Sequence, residues 1–84
     1  MNNRCKKILF RAAHRGGKEM DLILGKFAQK YVETLSDENL DHFEALLEEE
    51  DPDIYNWIIG KTQPPANAPY LDLLAEIMAN KVYE

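Results

Sequence analysis

Apolar residues recur along this chain at spacings of three and four, the period of an α-helix, and no segment alternates as a half-buried strand would. The first stripe covers about residues 3–13 and sets Cys5, Ile8, Leu9, Ala12 and Ala13 on one face. That helix is predicted to end at Gly16 or Gly17, where a positive φ costs little. The second stripe, about residues 18–34, is the most regular, with Met20, Ile23, Leu24, Phe27, Ala28, Tyr31 and Leu35 in register. Gly25 interrupts it at a cost of up to ~1 kcal/mol relative to alanine. A residue without a side chain there suits the close passage of a neighbouring helix.

Helix starts are spelled out downstream. In "LSDENL" Ser36 is a good N-cap, because its hydroxyl accepts a free backbone N–H. Asp37 and Glu38 then fall where the helix dipole favours negative charge. Leu35 and Leu40 occupy the two positions of a hydrophobic staple. This third helix is predicted to run to about Glu48, burying Leu40, Phe43, Leu46 and Leu47. In "DPDIYNWIIG" Asp51 is expected to cap a short fourth helix, Pro52 to take its first position and Gly60 to end it. Ile54, Trp57 and Ile58 supply its buried face, with Tyr55 and Asn56 pointing more outward. Pro64, Pro65 and Pro69 make the next stretch a loop. A last helix over about residues 69–82 presents Tyr70, Leu73, Leu74, Ile77, Met78 and Val82. No repeat or linker divides the chain, so the prediction is all-α: a compact single-domain bundle of about five helices over residues 1–84.

Composition narrows the function. With 84 residues and 45% apolar content the chain is near the lower limit for one unaided core. One cysteine excludes an internal disulfide framework and fits a reducing compartment. Cys5, His14 and His42 are too few and too scattered for a closed zinc site. No run of about 18 apolar residues is present, so no membrane insertion is expected. The net charge of −5 is unevenly distributed. Arg4, Lys6, Lys7, Arg11, Arg15 and Lys18 face no acid within the first 18 residues, while the remainder is strongly acidic. The acidic body argues against general nucleic-acid binding. The acid-free start loosely resembles a transit peptide, but it continues without a break into the following segment and is better read as the first helix.

Catalysis by this chain alone is not expected. Ser36 is accounted for as a cap and Cys5 as a packing residue, and His14 suits a helix C-terminus. Glu48-Glu49-Glu50-Asp51 lacks the alternation and central glycine of a calcium loop. What stands out is Arg15-Gly16-Gly17-Lys18-Glu19. A C-cap turn explains one glycine well and two less well. Missing side chains also let another chain's backbone come close, and the flanking charges can anchor an interface through bidentate hydrogen bonds.

Two blocks carry a resemblance. Arg15-Gly16-Gly17-Lys18-Glu19-Met20-Asp21-Leu22 matches an Arg-Gly-x-x-Glu signature followed by an apolar helix. "LSDENL" and then "LLEEEDPDIYNWIIGK", residues 46–61, match a second signature. Together, over about residues 8–65, they resemble the bacterial SdhE family of succinate dehydrogenase assembly factors and its mitochondrial counterpart, assembly factor 2. The resemblance implies a five-helix protein that is not an enzyme and holds no permanent cofactor. It implies binding to the flavoprotein subunit of succinate dehydrogenase, or of fumarate reductase. It further implies promoting covalent attachment of FAD, the client's cofactor, to a histidine of that subunit. On the family pattern Arg15, Gly16 and Glu19 form the contact surface, with Gly17 and Asp21 in the same block. Asp53, Asn56 and Trp57 lie near that surface or beneath it. A bacterial cytoplasmic location and a monomeric free state go with it. Family members commonly carry a second arginine where His14 stands and an apolar residue where Gly17 stands. Family members have also been labelled antitoxins, and the rival expectation is an antitoxin-like or DNA-binding module that uses the basic first helix.

Overall fold

The computed structural model describes residues 2–80, and all its regular elements are helical. In chain order they are α1 (Asn3–Ala13), α2 (Lys18–Tyr31), a 3₁₀ turn (Val32–Thr34), α3 (Asp37–Leu47), α4 (Asp51–Ile58) and α5 (Leu71–Asn80). The five-helix, all-α expectation holds. Val82, assigned to the last helix from the sequence, lies outside the described residues.

Local chemistry explains most of the boundaries. The side chain of Asn2 accepts from the backbone N–H of Cys5 at 2.8 Å and caps α1. Ser36 does the same for α3, accepting from Asn39 at 3.1 Å, as its position predicts. Helix α4 closes on Gly60, at φ 80°, with Gly60 N–H donating to Trp57 and Lys61 N–H to Asn56. Those two bonds form a Schellman motif, which uses up carbonyls that the helix end leaves free.

Four boundaries differ from expectation. Helix α2 stops at Tyr31 and tightens into the 3₁₀ turn instead of continuing to 34, a common way to finish a helix. Helix α1 ends at Ala13 with His14 as its C-cap, so Arg15, Gly16 and Gly17 all belong to the connecting loop. Tyr70 lies just before α5, which begins at Leu71 rather than 69. The N-cap of α4 is Glu50, which makes no side-chain cap bond. Asp51 is the first helical residue and Pro52 the second. The reason is tertiary: the Asp51 carboxylate is taken by Arg15.

The buried stripes meet in one core. Ile8, Leu24, Phe43, Leu46, Ile54 and Ile77, drawn from all five helices, are essentially inaccessible. Burying an aliphatic or aromatic side chain of this size stabilises by about 1.5–3 kcal/mol. Cys5, read from the sequence as a packing residue, is buried, with its Sγ 3.7 Å from the carbonyl of Val32. Leu9 packs at the core's edge. Helices α1 and α2 form a tight hairpin at Gly25, where an added Cβ would stand 3.1 Å from the Cα of Ala13. The close passage suggested by that glycine is present.

Candidate docking site

The loop joining α1 to α2 is built from beneath. Gly16 has φ 98°, a conformation that favours glycine, and nothing lies within 4 Å of where its Cβ would be. Gly17 has φ −119° and ψ 132°, which any residue adopts. The second glycine is therefore a matter of surface shape and not of backbone geometry. A Cβ on Gly17 would touch only the Asp51 carboxylate, at 3.8 Å. Asp21, one turn into α2, folds back so that its Oδ1 accepts from the backbone N–H groups of Arg15 and Gly16. An acid in this first turn also complements the helix dipole.

Arg15 departs from expectation. The sequence places it outward as half of a charged pair, yet its side chain is only 11% exposed. Its Nε donates to Asp51 Oδ1 at 2.7 Å, and its two terminal nitrogens donate to the carbonyls of Leu47 and Glu49. The guanidinium thus satisfies free carbonyls at the C-terminal end of α3 and pairs with an acid in the first turn of α4. Both placements agree with the helix dipoles. A planar fork reaches three acceptors where an ammonium could not. Arg15 is a staple joining the loop, α3 and α4.

The other members of the motif divide by exposure. Gly16 and Glu19 are exposed, and Gly17 and Asp21 are half-buried. Glu19 takes part in none of the ion pairs among the described residues. From the second block, Asp53 is exposed and Asn56 half-buried, its carbonyl engaged in closing α4. Trp57, 8% exposed, stacks on Tyr70 with ring centroids 5.8 Å apart, and so underlies the surface instead of forming it. Tyr70 donates to the Glu49 carboxylate, and burial, followed by that bond, pushes its phenol well above the ordinary range. The α3–α4 turn is therefore held by Arg15 on one side and Tyr70 on the other.

The sequence did not flag the surface next to this loop. Leu22 and Ile59 are exposed, at 42% and 54%, and flank a groove between α2 and α4. Neither disturbs the helical pattern, so only the fold brings them together. The basic first helix also changes meaning. Arg4 pairs with Asp41 and Glu44 of α3, and Arg11 with Glu48 at its C-cap. Exposed pairs of this kind add little stability, but they occupy cations that a phosphate backbone would need. Among the described residues no three His, Cys, Asp or Glu side chains cluster to hold a metal, and no helix is long and apolar enough to cross a membrane.

Fold and site together describe a small helical domain: a packed core presenting a bare, stapled corner. A family model described as "Flavinator of succinate dehydrogenase" matches residues 6–81, and the chain belongs to that family. The match continues through α5, beyond the two signature blocks. Similar proteins include succinate dehydrogenase assembly factor 2, mitochondrial, of Dictyostelium discoideum, 42% identical over 60 residues, which covers 71% of this chain and 43% of that protein. The protein of the same name from Saccharomyces cerevisiae is 37% identical over 84 residues, covering 93% of this chain and 52% of its own. The FAD assembly factor SdhE of Legionella pneumophila is 38% identical over 64 residues, covering 76% and 81%. The chain thus spans about half the length of these mitochondrial relatives. It is a family of assembly factors and not of enzymes.

Proposed function

We propose that this protein binds the flavoprotein subunit of succinate dehydrogenase and promotes covalent attachment of FAD to a histidine of that subunit. The Gly16-Gly17 corner, exposed at Gly16, carries the proposal. It sits beside the exposed Glu19 and is held rigid by Arg15 and Asp21, in a chain of the flavinator family. A bare loop lets the client's backbone approach closely, and Glu19 supplies a charged acceptor to set register. Bond formation is left to the cofactor's own chemistry within the client. The bound module favours the client conformation that holds histidine against flavin, which is a matter of positioning and population. FAD belongs to the client, the module holds no permanent cofactor, and it works as a monomer that meets its client in the bacterial cytoplasm. A fumarate reductase flavoprotein subunit of the same chemistry is a second client.

The test is Gly16→Arg, with covalent FAD on the client subunit measured by in-gel flavin fluorescence. The substitution is expected to lower flavinylation sharply; the arginine side chain meets no neighbour, but the positive φ strains the loop backbone, so circular dichroism is recorded alongside to show that the helices are retained. Flavinylation at the parent's level would refute the assignment. The DNA-binding alternative has little support, since the two arginines of α1 are already paired to acids on α3 and at its C-cap.

A further inference from the structure

The groove between α2 and α4 runs directly on from the stapled loop. Its apolar part is lined by Leu22, Ile23, Tyr55, Ile58 and Ile59. Glu19 and Tyr55 also line the adjoining hollow at Gly17, so the two form one trough. Leu22 lies one turn beyond Glu19 on α2, and Ile59, the C-cap of α4, one turn beyond Tyr55. Isolated exposed apolar residues need no explanation, but two that flank a shared groove and lead into a bare loop mark a docking surface.

Charge selects the occupant. Glu19 stands at the rim without an ion-pair partner, and Glu50 and Asp53 are exposed at the start of α4. Lys18 is the cation at the Gly17 end. A second copy of this chain suits the groove poorly. A two-fold contact would bring the same acidic rim against itself, on a molecule that already carries −5. Resting on the function proposed above, we infer that the trough receives a segment of the flavoprotein subunit that bears a large apolar side chain within about one turn of an arginine or lysine. The apolar side chain lies between Leu22 and Ile59, and the cation meets Glu19. The loop sets the position of the client and the groove supplies its affinity, since apolar anchors contribute most where they are fully desolvated.

The test measures binding of the intact chain to the purified flavoprotein subunit by titration calorimetry. Leu22→Asp and Ile59→Asp are compared with Gly16→Arg and with Ala75→Asp on the exposed face of α5. Leu22→Asp and Ile59→Asp are each expected to weaken binding at least tenfold, Ala75→Asp less than threefold, and circular dichroism to remain that of the parent. Should either groove variant fail to fold, a photo-reactive phenylalanine analogue at position 59 replaces it. That probe is expected to crosslink a client peptide carrying an apolar residue beside a cation. If the parent binds and Gly16→Arg abolishes binding, while both groove variants stay within threefold or the probe captures no client peptide, the groove assignment falls and the proposed function stands. A parent that does not bind the subunit at all overturns both. Self-association of the parent that Ile59→Asp abolishes makes a second copy the occupant, which also overturns the inference.

Discussion

Replacing Arg15 by alanine separates a staple from a contact residue. The guanidinium makes three hydrogen bonds: to Asp51 and to the carbonyls of Leu47 and Glu49. Hydrogen bonds to charged groups are worth about 1.5–3 kcal/mol each when counted singly, but bonds sharing one donor group do not add. Removing one partner of a fully buried ion pair costs about 3–5 kcal/mol. Asp51 is 26% exposed and regains some hydration, so the lower end applies. The expected loss is about 3 kcal/mol, against a total stability of about 5–15 kcal/mol for a domain. In a domain of this size 1 kcal/mol moves the melting temperature by roughly 4–8 °C, so Arg15→Ala should melt roughly 12–24 °C lower. Arg15→Lys should fall in between, because one ammonium cannot span the three acceptors. Glu19→Ala, at an exposed position, should stay within about 0.5 kcal/mol of the parent. Thermal unfolding followed by far-ultraviolet circular dichroism, with urea titration as a second measure, tests all three. If Arg15→Ala melts within about 4 °C of the parent, the staple is refuted and Arg15 belongs with the contact residues after all.

Two further substitutions probe the framework. Gly25→Ala should destabilise by about 1 kcal/mol net, since overpacking of about 1–3 kcal/mol against Ala13 outweighs the helix-propensity gain of up to ~1 kcal/mol; a melting temperature above the parent's would mean that α1 yields freely at that contact. Tyr70→Phe probes alkaline stability. The folded-state pKa of Tyr70 is raised above the unfolded value of about 10, so its contribution is complete below that pH and is lost as pH rises beyond it. The melting temperature of the parent should therefore drop more steeply between about pH 9.5 and 11 than that of Tyr70→Phe, and parallel slopes would contradict the buried phenol–Glu49 pair.

The five helices, their buried stripes and several of their ends were determined by the sequence alone, because each rests on neighbours three or four residues apart. Ser36 meets the N–H of Asn39 within one turn, and Gly60 closes α4 over the carbonyls just before it. The Arg-Gly-x-x-Glu block was equally visible as a motif, and so was the resemblance it carries. What the motif's residues do was decided in three dimensions. Asp51 reads as a cap until Arg15, 36 positions earlier, takes its carboxylate. Arg15 reads as a surface charge until the α3–α4 turn comes within reach of it. The groove at Leu22 and Ile59 exists only because the fold brings the start of α2 and the end of α4 to one surface. Periodicity reports which face of a helix is buried, whereas the partner of a charge depends on which distant segment the packed core brings within about 3 Å.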